Sequence, residues 1–342
     1  MKLKTILFIK KSDSKFVIRD EQILKQHYRV KSFKFGSPTG LAIIPNLIKI
    51  FVWLAWNIWT ADIIYSWFCD YHSFLPVLYG RLFNKNIAIV IGGFDAAKVD
   101  MINYGAHQEK IRSEIIQLCS NLADVLFPVS RNTEKELFDN INLKDKTKST
   151  VIYNGVNTEE LFYQDNSFEE DSIITVGGIN QTTIKRKGIE LFVQAAHFFP
   201  GHKFYLIGKY NQKTIDIIKS FSSDNLIITG RISDSKLAEL MQRAKVYVQA
   251  SIHEGFGVSL AEAMYCKCIP VASNRTAIPE VVGDTGFYIE DLSVKELVDK
   301  IKLALKANHN AGRAAHKRIN ENYTLVKRKK KLLTELNKLE ED

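Results

Sequence analysis

The 342-residue chain carries 47 Lys and Arg against 38 Asp and Glu, a formal net charge of +9, and 46% of it is hydrophobic. This suits a soluble protein of two ordinary domains with sizeable cores, and the positive balance favours an acidic partner: nucleotide phosphate, anionic lipid or nucleic acid. Cys69, Cys119, Cys266 and Cys268 form no CxxC pair and have no matching His/Cys cluster, which speaks against a zinc site and for a reduced, cytoplasmic setting.

Strand-like and helix-like runs alternate from the start. TILFI (5–9) predicts a first buried strand, its apolar run too short for a signal-peptide core. DEQILKQHY (20–28) predicts a helix and RVKSFKF (29–35) a strand. The stretch LAIIPNLIKIFVWLAWNIW (41–59) is more apolar, but Pro45, Asn46, Lys49 and Asn57 interrupt it. A bilayer span wants about 20 predominantly apolar residues. The expectation is a helix buried in a domain, or one lying against a bilayer with Trp53, Trp56 and Trp59 near the interface. ADIIYSW (61–67), NIAIVIGG (86–93) and ADVLFPVS (123–130) continue the strand series.

A polar break at QDNSFEED (164–171) reads as an interdomain linker. The rhythm then restarts with SIITVGG, KFYLIG, NLIITG, KVYVQAS, CIPVAS and GFYIE, with helices between. This predicts two doubly wound α/β domains facing a cleft, with ligands at the carboxyl ends of the strands. The expected domains are 1–165, 166–320, and a C-terminal amphipathic helix over 321–342 packing back towards the first domain. Its KRKKK run (327–331) reads as a solvated face in preference to a nucleic-acid contact.

The segment HEGFGVSLAEAM (253–264) carries the most chemistry. An apolar strand ends, Gly255 and Gly257 break it, and helix formers begin near residue 257, so exposed backbone N–H groups and the helix dipole favour an anion there. Glu254 stands at the mouth of the turn. Glu262 lies about one and a half turns into the helix, roughly 7 Å along its axis. One carboxylate can address a sugar and the other a ribose, with a diphosphate between them. Two solvated glutamates beside a glycine loop is the plainer alternative.

The same segment resembles the EGFG…EAM signature of the GT-B glycosyltransferases of the retaining family 4, glycosyltransferase group 1. VIYNGVNTEELF (151–162), TVGGINQTTIKRKGIELFVQAA (175–196), TGRISDSKLAELMQRAKVYVQAS (229–251) and AIPEVVGDTGFYIE (277–290) are similar to further segments of that family, almost continuously from 150 to 290. The resemblance implies that Glu254 faces the donor sugar and that Glu262 accepts bonds from the ribose. It implies that Gly255, Phe256, Gly257 and Val258 form the donor loop and Lys187 neutralises the diphosphate. Arg231 and Ile232 fall in the segment that lines the nucleobase pocket.

The chain departs from the family pattern in places. Gly178 stands where an Arg is usual, and extra residues precede Lys187, so Arg186 or Lys185 is the candidate for the missing charge. The loop KKSDSKFV (10–17) has no glycine, leaving Ser12, Ser14 and Lys15 as phosphate donors. In IGGFDAAKVD (91–100), Asp95 replaces a histidine near the sugar's primary hydroxyl, or else caps a helix. In WFCDYHSFLP (67–76), Asp70 and His72 are the acceptor-side candidates, with a structural histidine in an aromatic cluster as the other reading for His72.

The implied activity is retaining transfer of a sugar from a nucleotide-diphosphate sugar to a saccharide or lipid-linked acceptor. No cofactor and no metal are expected, since protein cations can do a metal's work. The expected location is cytoplasmic, with peripheral contact to an anionic membrane on its inner face. The alternative is a non-catalytic GT-B partner subunit, against which the intact Glu254/Glu262 pair argues. A nicotinamide-linked Rossmann enzyme lacks its GxGxxG after the first strand, and no recognition module supports nucleic-acid binding.

Overall fold

The computed structural model describes residues 3–36, 40–161 and 169–341. By contacts the chain divides into two units, Met1–Asn154 with Arg328–Asp342, and Gly155–Lys327. Residues 164–168 of the segment read as a linker lie outside the described residues.

The first unit strings together β1 (Thr5–Lys10), α1 (Lys15–Lys25), β2 (Arg29–Lys34), α2 (Ile43–Asn57), β3 (Ile63–Trp67), α3 (Tyr71–Leu82), β4 (Asn86–Ile91), α4 (Lys110–Leu122), β5 (Val125–Pro128) and α5 (Arg131–Asn140). Its five strands are all parallel, in the order β2-β1-β3-β4-β5. The runs ILFI, IIYSW and IAIVI are buried end to end, as expected of strands covered by helices on both faces. One face packs Leu7, Ile9 and Ile64 against Ile50, Leu54 and Ile58 of the α2 region. Beyond β4, a further cluster joins Ile87, Ile89 and Ile91 to Ile116 and Leu137 of α4 and α5. The edge strand β2 alternates exposed Arg29 with partly covered residues and ends on Lys34, charges that discourage pairing with another chain.

The second unit runs β6 (Glu169–Val176), α6 (Gln181–Arg186), α7 (Ile189–Ala196), β7 (Lys203–Ile207), α8 (Gln212–Lys219), β8 (Leu226–Gly230), α9 (Asp234–Arg243), β9 (Ala244–Gln249), α10 (Val258–Tyr265), β10 (Ile269–Ser273), α11 (Ile278–Val282), β11 (Phe287–Ile289), α12 (Val294–Lys306) and α13 (His309–Asn322). Its parallel sheet has the order β11-β10-β9-β6-β7-β8. The chain winds outward from β6 on one side, then returns to lay β9 on the other side. The topological switch point therefore lies between β6 and β9, where ligands of such sheets bind.

The last helix, α14 (Leu325–Glu341), carries Leu332 and Leu336 with no exposure. Arg328, inside the KRKKK run, is not on a solvated face. Its Nε and Nη2 each donate to Asp20 of α1 at 2.6 Å, and its Nη1 donates to the carbonyls of Ile152 at 2.8 Å and Tyr153 at 3.0 Å. Tyr65 and Trp67 donate to the same Asp20 oxygen, at 2.9 and 2.7 Å. A buried, bidentate pair of this kind is satisfied on every side, which is the condition for an ion pair to be tolerated in a core. It is also what fixes α14 to the first unit.

Candidate functional site

The switch point of the second sheet is assembled by backbone fit. Gly188, between α6 and α7, holds φ +63, and a Cβ there would lie 2.1 Å from the Ala250 carbonyl oxygen just past β9. Only glycine lets the two backbones approach so closely. Gly177, at the end of β6, clears a path for the Lys187 side chain, whose Cδ lies 2.6 Å from where a Cβ would stand. The Ile252 N–H donates to the Arg186 carbonyl at 2.7 Å and ties the strand end to α6.

The extra residues before Lys187 form α6 itself. Asn180 caps it in a reciprocal box with Thr183, and its last turn carries Lys185 and Arg186, where cations suit the dipole. Arg186 and Lys187 reach inward, whereas Lys185 is exposed. Lys187 Nζ lies 3.0 Å and Arg186 Nη1 3.4 Å from Glu254 Oε1, with all three side chains less than a fifth exposed. Arg186 also donates to the His253 carbonyl at 2.9 Å.

Two neutral donors complete the seat. Gln249 Nε2 at 3.1 Å and Ser251 Oγ at 3.0 Å converge on the same Glu254 oxygen. Behind them, the Tyr247 hydroxyl donates to Gln249 Oε1 at 3.1 Å and Ser273 Oγ donates to the Ser251 carbonyl at 2.6 Å. The Glu254 N–H donates to Thr276 Oγ1 at 3.1 Å, and Thr276 holds φ 51, a left-handed conformation uncommon for a branched residue. Burial alone would raise the Glu254 pKa, but Lys187 and then Arg186 outweigh it and hold the carboxyl at about 2. It is an ionised group paired to two cations.

Past Glu254 the chain turns through Gly255 and Phe256 to Gly257, whose φ of +90 makes the left-handed entry to α10. The Phe256 ring is 3% exposed and packs edge-on to Tyr323, centroids 5.4 Å apart, so this residue offers the loop its backbone. Val258 opens the helix, and Glu262 lies on its buried side at 5% exposure. Burial, followed by the Glu262 charge, pushes the Cys266 thiol up to about 12. Arg231 is exposed and Ile232 half-buried just beyond β8, the far edge of the sheet. No hydrogen bond or ion pair among the described residues joins either of them to Glu254 or Lys187.

In the first unit the strand ends hold a different arrangement. Asp95 is fully buried in the loop after β4, in a segment that forms no helix, so it caps none. Its oxygens accept from the N–H groups of Gly92 and Gly93 at 2.9 Å each and Cys69 at 2.8 Å. Burial pushes it up to about 7, the backbone donors opposing. It braces the ends of β3 and β4 and has no surface for the sugar contact expected of it. His72 is likewise 2% exposed; its Nε2 donates to the Trp67 carbonyl at 2.8 Å, and burial lowers its pKa. It belongs to the aromatic cluster with Phe35 and not to an open acceptor face.

Asp70 caps α3 in a box with Ser73 and pairs with Lys11 at 2.9 Å and Arg112 at 3.1 Å. Burial opposes its ionisation, but Lys11 leads the charges that hold it below the usual carboxylate range. Arg112 lies over the rings of Tyr71 and Phe94, at 4.9 and 5.6 Å from their centroids. Lys11 and Asp70 follow β1 and β3, which makes this pair the switch point of the first sheet. In the loop 10–17, Ser12 and Ser14 hydrogen-bond to each other at 2.9 Å.

Gln249 and Ser251 escape a reading by motif, although two polar residues ending an apolar strand on one face is a signal in the sequence. Lys11 and Arg112 carry no such signal. Among the described residues, no group of three His, Cys, Asp or Glu side chains is placed to hold a metal ion.

Residues 159–324 match the family model described as glycosyl transferases group 1. The chain is 26% identical over 202 residues to the serotype-specific mannosyltransferase WbdA of Escherichia coli, covering 52% of this chain and 24% of that protein. It is 24% identical over 263 residues to the GDP-mannose:cellobiosyl-diphosphopolyprenol alpha-mannosyltransferase of Xanthomonas campestris, covering 73% and 66%. It thus spans less than two thirds of the length of either relative. Among solved structures, HepE of Anabaena in complex with UDP and glucose superposes with a TM-score of 0.76 at 16% identity, covering 98% of this chain and 100% of that one. Two Rossmann-like units of the GT-B kind, a glutamate–lysine pair at the second switch point and a family match across that unit agree, and the second unit is a group 1 glycosyltransferase domain.

Proposed function

We propose that this protein transfers a sugar from a nucleoside-diphosphate sugar to a saccharide or lipid-linked acceptor, with retention at the anomeric carbon, in the synthesis of a cell-surface glycan. The observation that carries the reading is the ionised Glu254 paired to Lys187 and Arg186 at the β6/β9 switch point. Breaking the anomeric C–O bond leaves negative charge on the diphosphate and positive charge on the sugar ring. Two half-buried cations stabilise the first and a carboxylate the second, in a setting of low local dielectric. Protein cations suffice for the leaving group, so no metal is required. The departing phosphate, on the same face as the acceptor hydroxyl, takes the proton.

In this reading Glu262 accepts from the ribose, the Gly255–Val258 backbone holds sugar hydroxyls, and Arg231 and Ile232 border the base. The first unit receives the acceptor near Asp70. The protein works in the cytoplasm, at the inner face of the membrane when the acceptor is lipid-linked. The GDP-mannose in the name of the Xanthomonas relative and the UDP and glucose in the HepE complex make GDP-mannose and UDP-glucose the first two donors to try. The test follows nucleoside-diphosphate release from a donor panel, with saccharide and polyprenol-diphosphate-sugar acceptors in parallel. Product anomeric configuration is then read by NMR. Release from no donor with any acceptor, or an inverted product, overturns the reading.

A further inference from the structure

Helix α2 is apolar on two opposite sides, yet only one of them is covered. Ile50, Leu54 and Ile58 are fully buried in the core of the first sheet. On the opposite side Ile44, Ile48, Val52 and Trp56 recur every four residues and form one stripe. Their exposures are 48%, 59%, 60% and 85%, and Phe51 at 50% and Trp59 at 70% flank them. The segment Ile43–Thr60 has a mean hydropathy of 1.3 over 18 residues, and only 17% of it is buried. A surface helix ordinarily shows water a polar face, and one apolar all round is covered on all sides. Water does not suit the outer stripe.

From Gln22 to Ala61 there is no Asp or Glu, while Lys25, Arg29, Lys31, Lys34 and Lys49 fall within the same span. Lys25 and Lys34 are paired to Glu21 and Asp13, and Lys31 donates to Asn57 and Thr60 at the carboxyl end of the α2 region. Lys49, the one charge on α2 itself, is exposed. Trp53, Trp56 and Trp59 gather at the carboxyl end, and indole rings prefer the level of lipid head groups. The inner stripe rules out spanning, because a helix that leaves the sheet to cross a bilayer takes Ile50, Leu54 and Ile58 out of the core. What remains is a helix lying in the plane of the interface.

We propose that the outer face of α2, from Ile44 to Trp59, docks on the interface of an anionic lipid bilayer, with its apolar stripe among the upper acyl chains and Lys49 against lipid phosphates. This deepens the reading of a membrane-working transferase by naming the surface that meets the lipid, and it rests on that reading for its purpose. The full-length protein is floated with vesicles of phosphatidylglycerol and phosphatidylethanolamine, and separately with phosphatidylcholine alone, at low and high salt. The wild type should float with the anionic vesicles and less so at high salt. A triple Ile48→Ser, Val52→Ser, Trp56→Ser variant should lose roughly tenfold or more in partitioning, and Lys49→Glu, a change at an exposed position, should weaken binding to anionic vesicles alone. Brominated lipids should quench the tryptophan emission of the wild type.

The docking proposal is overturned if the wild type ignores anionic vesicles at low salt, or if the triple variant floats as well as the wild type. It is equally overturned if the wild type is a dimer without lipid affinity that the triple variant makes monomeric, in which case a second copy covers the face. Turnover on a water-soluble acceptor separates the two readings. All these variants should retain it, and its absence in the wild type counts against sugar transfer and leaves the flotation result standing.

Discussion

Replacing Glu254 by Gln keeps the shape of the side chain and removes its charge. That charge is the partner of Lys187 at 3.0 Å and Arg186 at 3.4 Å. The fall of the Glu254 pKa from 4.5 to about 2 corresponds to about 3 kcal/mol, at about 1.4 kcal/mol per unit. With 12% of the side chain exposed, little of this is lost to solvent screening. Glu254→Gln should therefore destabilise the second unit by about 1–3 kcal/mol, the amide recovering part of the hydrogen bonding. At about 2–4 °C per kcal/mol for a unit of this size, the melting temperature should fall by several degrees. A carboxyl whose folded pKa lies below its unfolded value stabilises fully above pH about 4.5, and the gain vanishes as pH falls towards about 2. The gap between wild type and variant should accordingly close across that window. The variant's two cations lack their anion, so a nucleoside diphosphate should bind with equal or higher affinity, while turnover drops more than tenfold. Thermal denaturation against pH, calorimetry with the nucleoside diphosphate, and steady-state turnover measure the three. An unchanged melting temperature at neutral pH refutes the ion-pair argument, and full turnover removes Glu254 from the chemistry.

Lys187→Ala should weaken nucleoside-diphosphate binding by about 1.5–3 kcal/mol, the range for a hydrogen bond to a charged group, read by calorimetry. Glu262→Ala should cost a similar amount through the ribose hydroxyls, and a 2′,3′-dideoxy nucleotide should bind wild type and variant alike. Arg328→Ala takes the cation from the fully buried Asp20, which keeps only its Tyr65 and Trp67 donors, and should destabilise the first unit by about 3–5 kcal/mol in denaturant titrations.

Strands such as β1, β3 and β4 were legible because parallel strands buried on both faces are written as unbroken apolar runs, whereas the edge strand β2, RVKSFK, carries charges and is no such run. The entry to α10 was legible for the same local reason: two glycines separate a strand pattern from a helix pattern. What stayed hidden depends on partners far away in the chain. Arg328 meets Asp20 across 308 positions, and nothing in KRKKK distinguishes it from its neighbours. Asp95 and His72 stand at strand ends, where a ligand contact and a buried brace look alike until exposure is known. Arg186 and Lys185 were equivalent as charges, and it is the turn of α6 that sends one inward and leaves the other in water.

The make-up of the Glu254 seat explains how such a pair can serve a donor. On the proposed reading, Lys187 and Arg186 must turn part of their bonding from Glu254 to a diphosphate. Because they are already held near the place where phosphate arrives, little side-chain freedom is lost at that moment, and the cost falls on the exchange of one anion for another. A carboxylate held by cations alone would be freed to move once they turned away. Here Gln249 at 3.1 Å and Ser251 at 3.0 Å remain on the same oxygen, and Tyr247 and Ser273 hold those two in turn. The cations can therefore be shared with the leaving group while the carboxylate keeps its place beside the sugar, a division of labour between charged and neutral donors that a fully ionic site cannot provide.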